Sequence, residues 1–265
     1  MKKVGLALGG GGAKGISHIA FLQALDELGV RPAVIAGTSI GAVIGGLYAA
    51  GVSGSQLEEL VKNLGLMDLT KMVLDFSILS NSAIYKGKGI EEFLSREIPA
   101  QTFEEMEVPL KVVATDFWSR KEVVFSRGPL MPAIRASMAM PALFEPVQLN
   151  GRILIDGGAV NPLPYDLLRQ ECEVTIAIDV SGEKTQPPHN PVPNMVESIL
   201  STFQIMQASI VAAKKQVSPP SIYVKPALTN IRVLDFYRYK EILAGVQEEV
   251  QEFKETLIKL FEGRD

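Results

Sequence analysis

Short apolar runs alternate with helical patterns along most of the chain. Residues 4–8, 33–36, 110–115, 122–126, 152–155, 174–179 and 221–224 read as strands. Several of these are apolar at nearly every position, the pattern of strands covered on both faces. Residues 14–28 read as a helix closed by Gly29. Towards the C-terminus Ile242, Val246, Val250, Phe253, Leu257 and Leu260 recur every three or four residues, which predicts one continuous amphipathic helix. Strands alternating with helices predict an α/β fold with a mostly parallel central sheet.

Residues 32–57 contain no charged side chain, a run long enough to cross a bilayer. Gly37, Gly41, Gly45, Gly46, Gly51 and Gly54 interrupt it, so a buried strand, a turn and a tightly packed helix explain it better. Lys2-Lys3 followed by residues 4–13 has the outline of a signal peptide, but Gly9–Gly12 make a poor helical segment. The reading is a cytoplasmic protein with no transmembrane helix, free to touch the inner membrane surface peripherally.

With 265 residues, 47% of them hydrophobic and 21% charged, the chain can bury a sizeable core. A net charge of -4 excludes a general nucleic-acid binder. The basic pairs Arg120-Lys121 and Lys214-Lys215 read as solvated surface. A single cysteine, Cys172, rules out an internal disulfide or a multi-cysteine metal site. There are only two histidines, His18 and His189, the second inside the proline-rich run 186–193.

Three motifs carry chemistry. Gly37-Thr38-Ser39-Ile40-Gly41 fits a nucleophile elbow, with an uncharged strand before it and a small-residue helix after it. Small residues two before and two after the serine let the backbone pass close to itself. Gly9–Gly15 (GGGGAKG) follows the first strand, where consecutive amides can converge on an anion. A dinucleotide turn would require an acid about 20 residues on, and a phosphate loop a Gly-Lys-Ser/Thr; neither is present, so an oxyanion hole is the better reading. Asp156-Gly157-Gly158 follows an apolar strand, at the end where open α/β sheets place their chemistry. A Ser-acid-His order would need a histidine after Asp156, and only His189 follows. His18 reads as packed or capping, so Asp156 is left as the direct base for Ser39.

These motifs, in this order and without a usable histidine, resemble the patatin-like phospholipase family. Ala114-Thr115-Asp116, the segment from Arg135 to Pro141 and Asn161-Pro162-Leu163-Pro164 extend the resemblance, which spans about residues 4–180. It implies a three-layer α/β/α fold and a Ser-Asp dyad, with Ser39 as nucleophile and Asp156 as base. Backbone amides of Gly10, Gly11 and Gly12 would form the oxyanion hole. It implies an acyl lipid as substrate and neither metal nor organic cofactor.

The expected organisation is a catalytic core over residues 4–180 and a helical extension with one further strand over 181–265, packed on the same domain. A soluble-ester esterase or acyltransferase, and a non-catalytic lipid-binding regulator, are the alternatives. Residues 66–79 are apolar around Asp68, Lys71 and Asp75 and read either as core or as a lid.

Overall fold

The computed structural model describes residues 2–63, 88–186 and 192–262. Eight strands form one sheet: β1 (Val4–Leu8), β2 (Val34–Thr38), β3 (Leu110–Asp116), β4 (Lys121–Phe125), β5 (Val147–Leu149), β6 (Arg152–Asp156), β7 (Val174–Ile178) and β8 (Ile222–Val224). Their order is β5-β6-β3-β2-β1-β7-β8, with β4 also paired to β3. From β3 to β8 all neighbours on that path are parallel. The β3–β4, β3–β6 and β5–β6 pairs are antiparallel. The fold is therefore α/β with a mostly parallel sheet, as its alternating pattern predicts.

Side chains along β1 alternate between two cores, as the two-residue period of a strand requires. Leu6 and Leu8 enter the larger one with α1 (His18–Glu27) and α2 (Ile40–Ala49). Ala7 enters a smaller one with Leu163, Tyr165, Leu168 and Val211. Helices thus cover both faces and make three layers. Every residue of α2 is buried, which explains the uncharged run in the sequence as packing rather than as a membrane span.

The segment after α2 carries α3 (Gly54–Asn63), and α4 (Lys88–Glu97) and α5 (Leu130–Ser137) follow it. The C-terminal part is helical with β8 added to the sheet edge. It holds α6 (Met195–Val217), α7 (Tyr239–Ala244) and α8 (Gln247–Glu262). The apolar period from Ile242 to Leu260 does not form one helix, because the chain breaks between α7 and α8 at Gly245-Val246. Val246 is nonetheless fully buried, so the apolar stripe continues across the break. Phe253 of α8 meets Phe21 of α1 edge-on, with ring centroids 5.6 Å apart.

Lys214 departs from its sequence reading. Its ammonium donates to Asn161 Oδ1 at 2.6 Å and to the Leu163 carbonyl at 2.7 Å, and it pairs with Asp166. Burial holds its pKa below the usual lysine value. It clamps α6 to the turn after Asp156 instead of pointing into solvent.

Candidate active site

Ser39 sits between β2 and α2 with φ 55° and ψ −124°, a conformation that costs a non-glycine residue energy. The neighbours hold it there. A Cβ on Gly41 would lie 2.6 Å from the Leu8 carbonyl carbon and 2.8 Å from the Gly9 oxygen. A Cβ on Gly37 would lie 2.5 Å from the Gly41 oxygen. Both glycines are thus required by close backbone approach, as the elbow reading predicts. The Ser39 amide donates to Ser137 Oγ at 2.8 Å, and Thr38 Oγ1 donates to the Asn161 carbonyl at 2.8 Å. Ser137 is fully buried, and nothing local in the segment from Arg135 to Pro141 signals that its hydroxyl holds the elbow.

Asp156 ends β6 and is 1% exposed. The Ser39 side chain lies close enough to the Asp156 carboxylate to draw the carboxyl pKa down. Asp156 Oδ1 accepts from the Gly158 amide at 2.7 Å. Burial pushes its pKa up to about 6, against the opposing pull of Ser39 and of the Gly158 amide. A Cβ on Gly157 would run into the Val113 carbonyl, so the chain can turn this tightly only with glycine there.

The pairing of β3 brings the two residues together. Val112 and Val113 pair with β2 and with β4, so those two strands take opposite edges. Residues Ala114–Asp116 pair with β4 and with β6, so β6 takes the edge that β2 has left. Thr38 is opposite Val113 and Asp156 is opposite Ala114. The end of β2 and the end of β6 therefore meet head to head along one strand.

The glycine loop packs beside them. A Cβ on Gly10 would be 3.3 Å from Ser39 Cβ. Gly12 has φ 60° and lies against the Val233 backbone, whose carbonyl accepts from the Ala13 amide at 2.8 Å. The Gly10 amide donates to the Pro162 carbonyl at 3.0 Å and so is committed to the turn. This departs from a reading in which all three glycine amides face a ligand. Lys14 is buried, with its ammonium 3.4 Å from the Ile231 carbonyl. Burial pushes its pKa down to about 8, with Asp235 and Asp179 pulling the other way.

His18 is fully buried, and its Nε2 donates to the Gly9 carbonyl at 2.9 Å. Burial pushes its pKa down to about 4, so the ring is neutral at pH 7. Its bond supports the backbone of the glycine loop. His189 and the candidate lid at residues 66–79 lie outside the described residues. Among the described residues no cluster of His, Cys, Asp and Glu could hold a metal ion.

A model of the patatin-like phospholipase family matches residues 6–169. An uncharacterized NTE family protein of Mycobacterium tuberculosis is 38% identical over 218 residues, 78% of this chain and 59% of that protein. Patatin-like phospholipase domain-containing protein 7 of Mus musculus is 32% identical, over 90% of this chain and 20% of that one. Lysophospholipase NTE1 of Saccharomyces cerevisiae is 29% identical, over 90% of this chain and 16% of that one. This chain thus spans 59% or less of the length of these relatives. The crystal structure of VipD from Legionella pneumophila aligns with a TM-score of 0.50 and 15% identity. That alignment covers 95% of this chain and 67% of VipD, a likeness of fold.

Proposed function

Since the chain belongs to the patatin-like phospholipase family, we propose that it hydrolyses carboxylic esters of lipids, with Ser39 as nucleophile and Asp156 as general base. The observation that carries this reading is Ser39, held in a strained elbow, beside the buried carboxylate of Asp156 at the meeting ends of β2 and β6. A base whose pKa lies near 6 is ionised at neutral pH yet basic enough to help a serine. The name of the yeast relative, a lysophospholipase, agrees with a lipid ester as substrate.

In the proposed cycle Asp156 takes the Ser39 proton as Oγ attacks the ester carbonyl. The carbonyl electrons move onto oxygen, and the amides of Gly11 and Gly12 donate to that oxyanion. Gly10 is set aside as a donor because its amide is spent on Pro162. Collapse expels the alcohol, which takes the proton back from Asp156, and leaves an acyl-Ser39. Water then gives a proton to Asp156 and attacks the acyl carbon. Collapse releases the fatty acid, and the proton returns to Ser39.

The test is a fluorophosphonate probe together with a substrate panel of lysophospholipid, phospholipid vesicles and short soluble esters. Labelling of wild-type but not Ser39→Ala protein, with turnover of the lipids, supports the reading. Turnover of soluble esters alone points to a soluble esterase. No labelling and no turnover leaves a lipid-binding regulator.

A further inference from the structure

We propose that the outward face of α6, the helix whose inward face packs beside the Ser39–Asp156 site, docks onto a phospholipid bilayer. This rests on the lipid hydrolase reading and adds the surface by which the lipid is met.

Helix α6 is long and apolar enough to cross a membrane by length and composition, yet only 11% of its most apolar stretch is buried. No charged residue occurs from 198 to 213. A helix on the surface of a soluble domain ordinarily turns charges outward. Here the outward residues are Met195 (76% exposed), Ile199 (44%), Ile205 (65%) and Met206 (57%), with Thr202 among them and Ser209 and Ala213 beyond. An apolar patch of this kind marks an interaction surface.

The inward face of the same helix closes around the site. Leu200 and Phe203 pack with Met140, Leu143 and Val233. Met140 follows Ala139, whose carbonyl accepts from the Asp156 amide at 2.9 Å. Val233 lies against Gly12. One small apolar cluster thus bridges the aspartate loop and the glycine loop, and the first half of α6 is its outer wall. Further along, Gln207 is buried against Gly158 and Lys214 is clamped to Asn161. The helix is therefore fixed to the domain on one side and uncharged and mostly apolar on the other.

A lipid surface fits this face better than a second copy of the chain. The residues spaced as a coiled-coil seam are 195, 199, 202, 206, 209 and 213. Thr202 and Ser209 interrupt that seam, and no charged residues flank it to set a register. Methionine, isoleucine and small side chains with no charge match a bilayer interface, which needs apolar area and imposes no register.

The experiment uses the full chain carrying Ser39→Ala, so that binding is read without hydrolysis, in flotation with phosphatidylcholine vesicles. The parent is expected to float with the vesicles. Adding Met195→Glu, Ile205→Glu and Met206→Glu is expected to weaken vesicle binding tenfold or more. Circular dichroism and thermal melting check that the variant is folded. Should it not fold, Met195→Gln with Met206→Gln replaces it and is expected to weaken binding in the same direction. Undiminished flotation of a folded variant, or no flotation of the parent, overturns the proposal. Self-association of the parent without vesicles, lost in the variant, assigns the face to a second copy and also overturns it. Fluorophosphonate labelling of the wild-type serine, done without vesicles, tests the hydrolase reading separately. Intact labelling with unaffected flotation removes the docking face and leaves the enzyme.

Discussion

Ser39 and Asp156 are neighbours because consecutive residues of β3 hold the strands that end in them. Val113 pairs with Thr38, and Ala114 pairs with Asp156. The serine and its carboxylate come from chain positions more than a hundred residues apart, but both are set by one backbone ladder rather than by mobile loops. A pair held this way takes its placement from the sheet, and the Gly158 amide fixes the orientation of the carboxylate.

Ser39→Ala is expected to remove nearly all turnover, by as much as about 10⁶-fold for loss of a nucleophile. Folding should be retained, since alanine keeps the backbone amide that donates to Ser137. Steady-state rates on the substrate panel and a thermal melt check this. A folded mutant with most of its activity would show that another group is the nucleophile.

The raised pKa of Asp156 has two consequences of opposite sign. As the proposed base it must be ionised, so activity should rise with pH through about 6 and level off above it. As a buried group it binds its proton more tightly in the folded chain than in the unfolded one, where its value is 3.8. Folding stability therefore falls as pH rises from about 4 to 6, and the full cost is present above that window. Asp156→Asn, which keeps an acceptor for the Gly158 amide, should be inactive. It should also be more stable than wild type at pH 8, by at most about 3 kcal/mol. Urea melts at pH 8 and near pH 4 check this, and the difference should shrink at the lower pH. An equal difference at both pH values would mean that Asp156 is not the group responsible.

The elbow and the aspartate turn were legible in the sequence because each is a local steric requirement. Gly37, Gly41 and Gly157 face backbone that leaves no room for a Cβ, and such demands leave glycines at fixed offsets. The strand order around β3 was not legible. It depends on β6 taking over an edge from β2, a long-range pairing with no local signature. Strand β5 spans only Val147–Leu149, too short to show a period. Lys214 looks like half of a solvated pair until the fold puts Asn161 and Asp166 beside it. The use of the Gly10 amide by Pro162 likewise comes from a turn distant in sequence. The periodic apolar positions from Ile242 to Leu260 predict one helix although there are two, because a stripe can survive a break in the backbone.

His18→Gln is expected to keep substantial hydrolysis. The ring is neutral and buried, and its bond to the Gly9 carbonyl is one that a glutamine amide can supply. Some loss of stability should follow, because the shape of a fully buried side chain is changed. His189→Gln should behave like wild type on the dyad reading. Rates of the single and double variants check this. Loss of turnover in a folded His189→Gln protein would replace the dyad with a triad.

Gly10 and Gly41 both face the elbow, yet alanine should act on them in different ways. At Gly41 the new Cβ would run into the Leu8 carbonyl, 2.6 Å from its carbon and 2.8 Å from the Gly9 oxygen. Those atoms are backbone at the end of a central strand, fully buried, and cannot move aside without disturbing the sheet. Gly41→Ala should therefore destabilise the fold by about 1–3 kcal/mol or more, with activity lost as a consequence. At Gly10 the nearest atoms are Ser39 Cβ at 3.3 Å and the Thr38 oxygen at 3.6 Å. That contact is tight but can be relieved by a shift of a few tenths of an ångström, and the residue that shifts is the proposed nucleophile. Gly10→Ala should melt close to wild type while its turnover falls on the order of tenfold, since small misplacements of a reacting group are costly. Thermal melts and rates measured on both variants separate the two effects. A Gly10→Ala protein that is fully active would show that the glycine loop does not bear on Ser39. A Gly41→Ala protein that is normally stable would mean that the close approach of the elbow to β1 is not what holds Ser39 in its strained conformation.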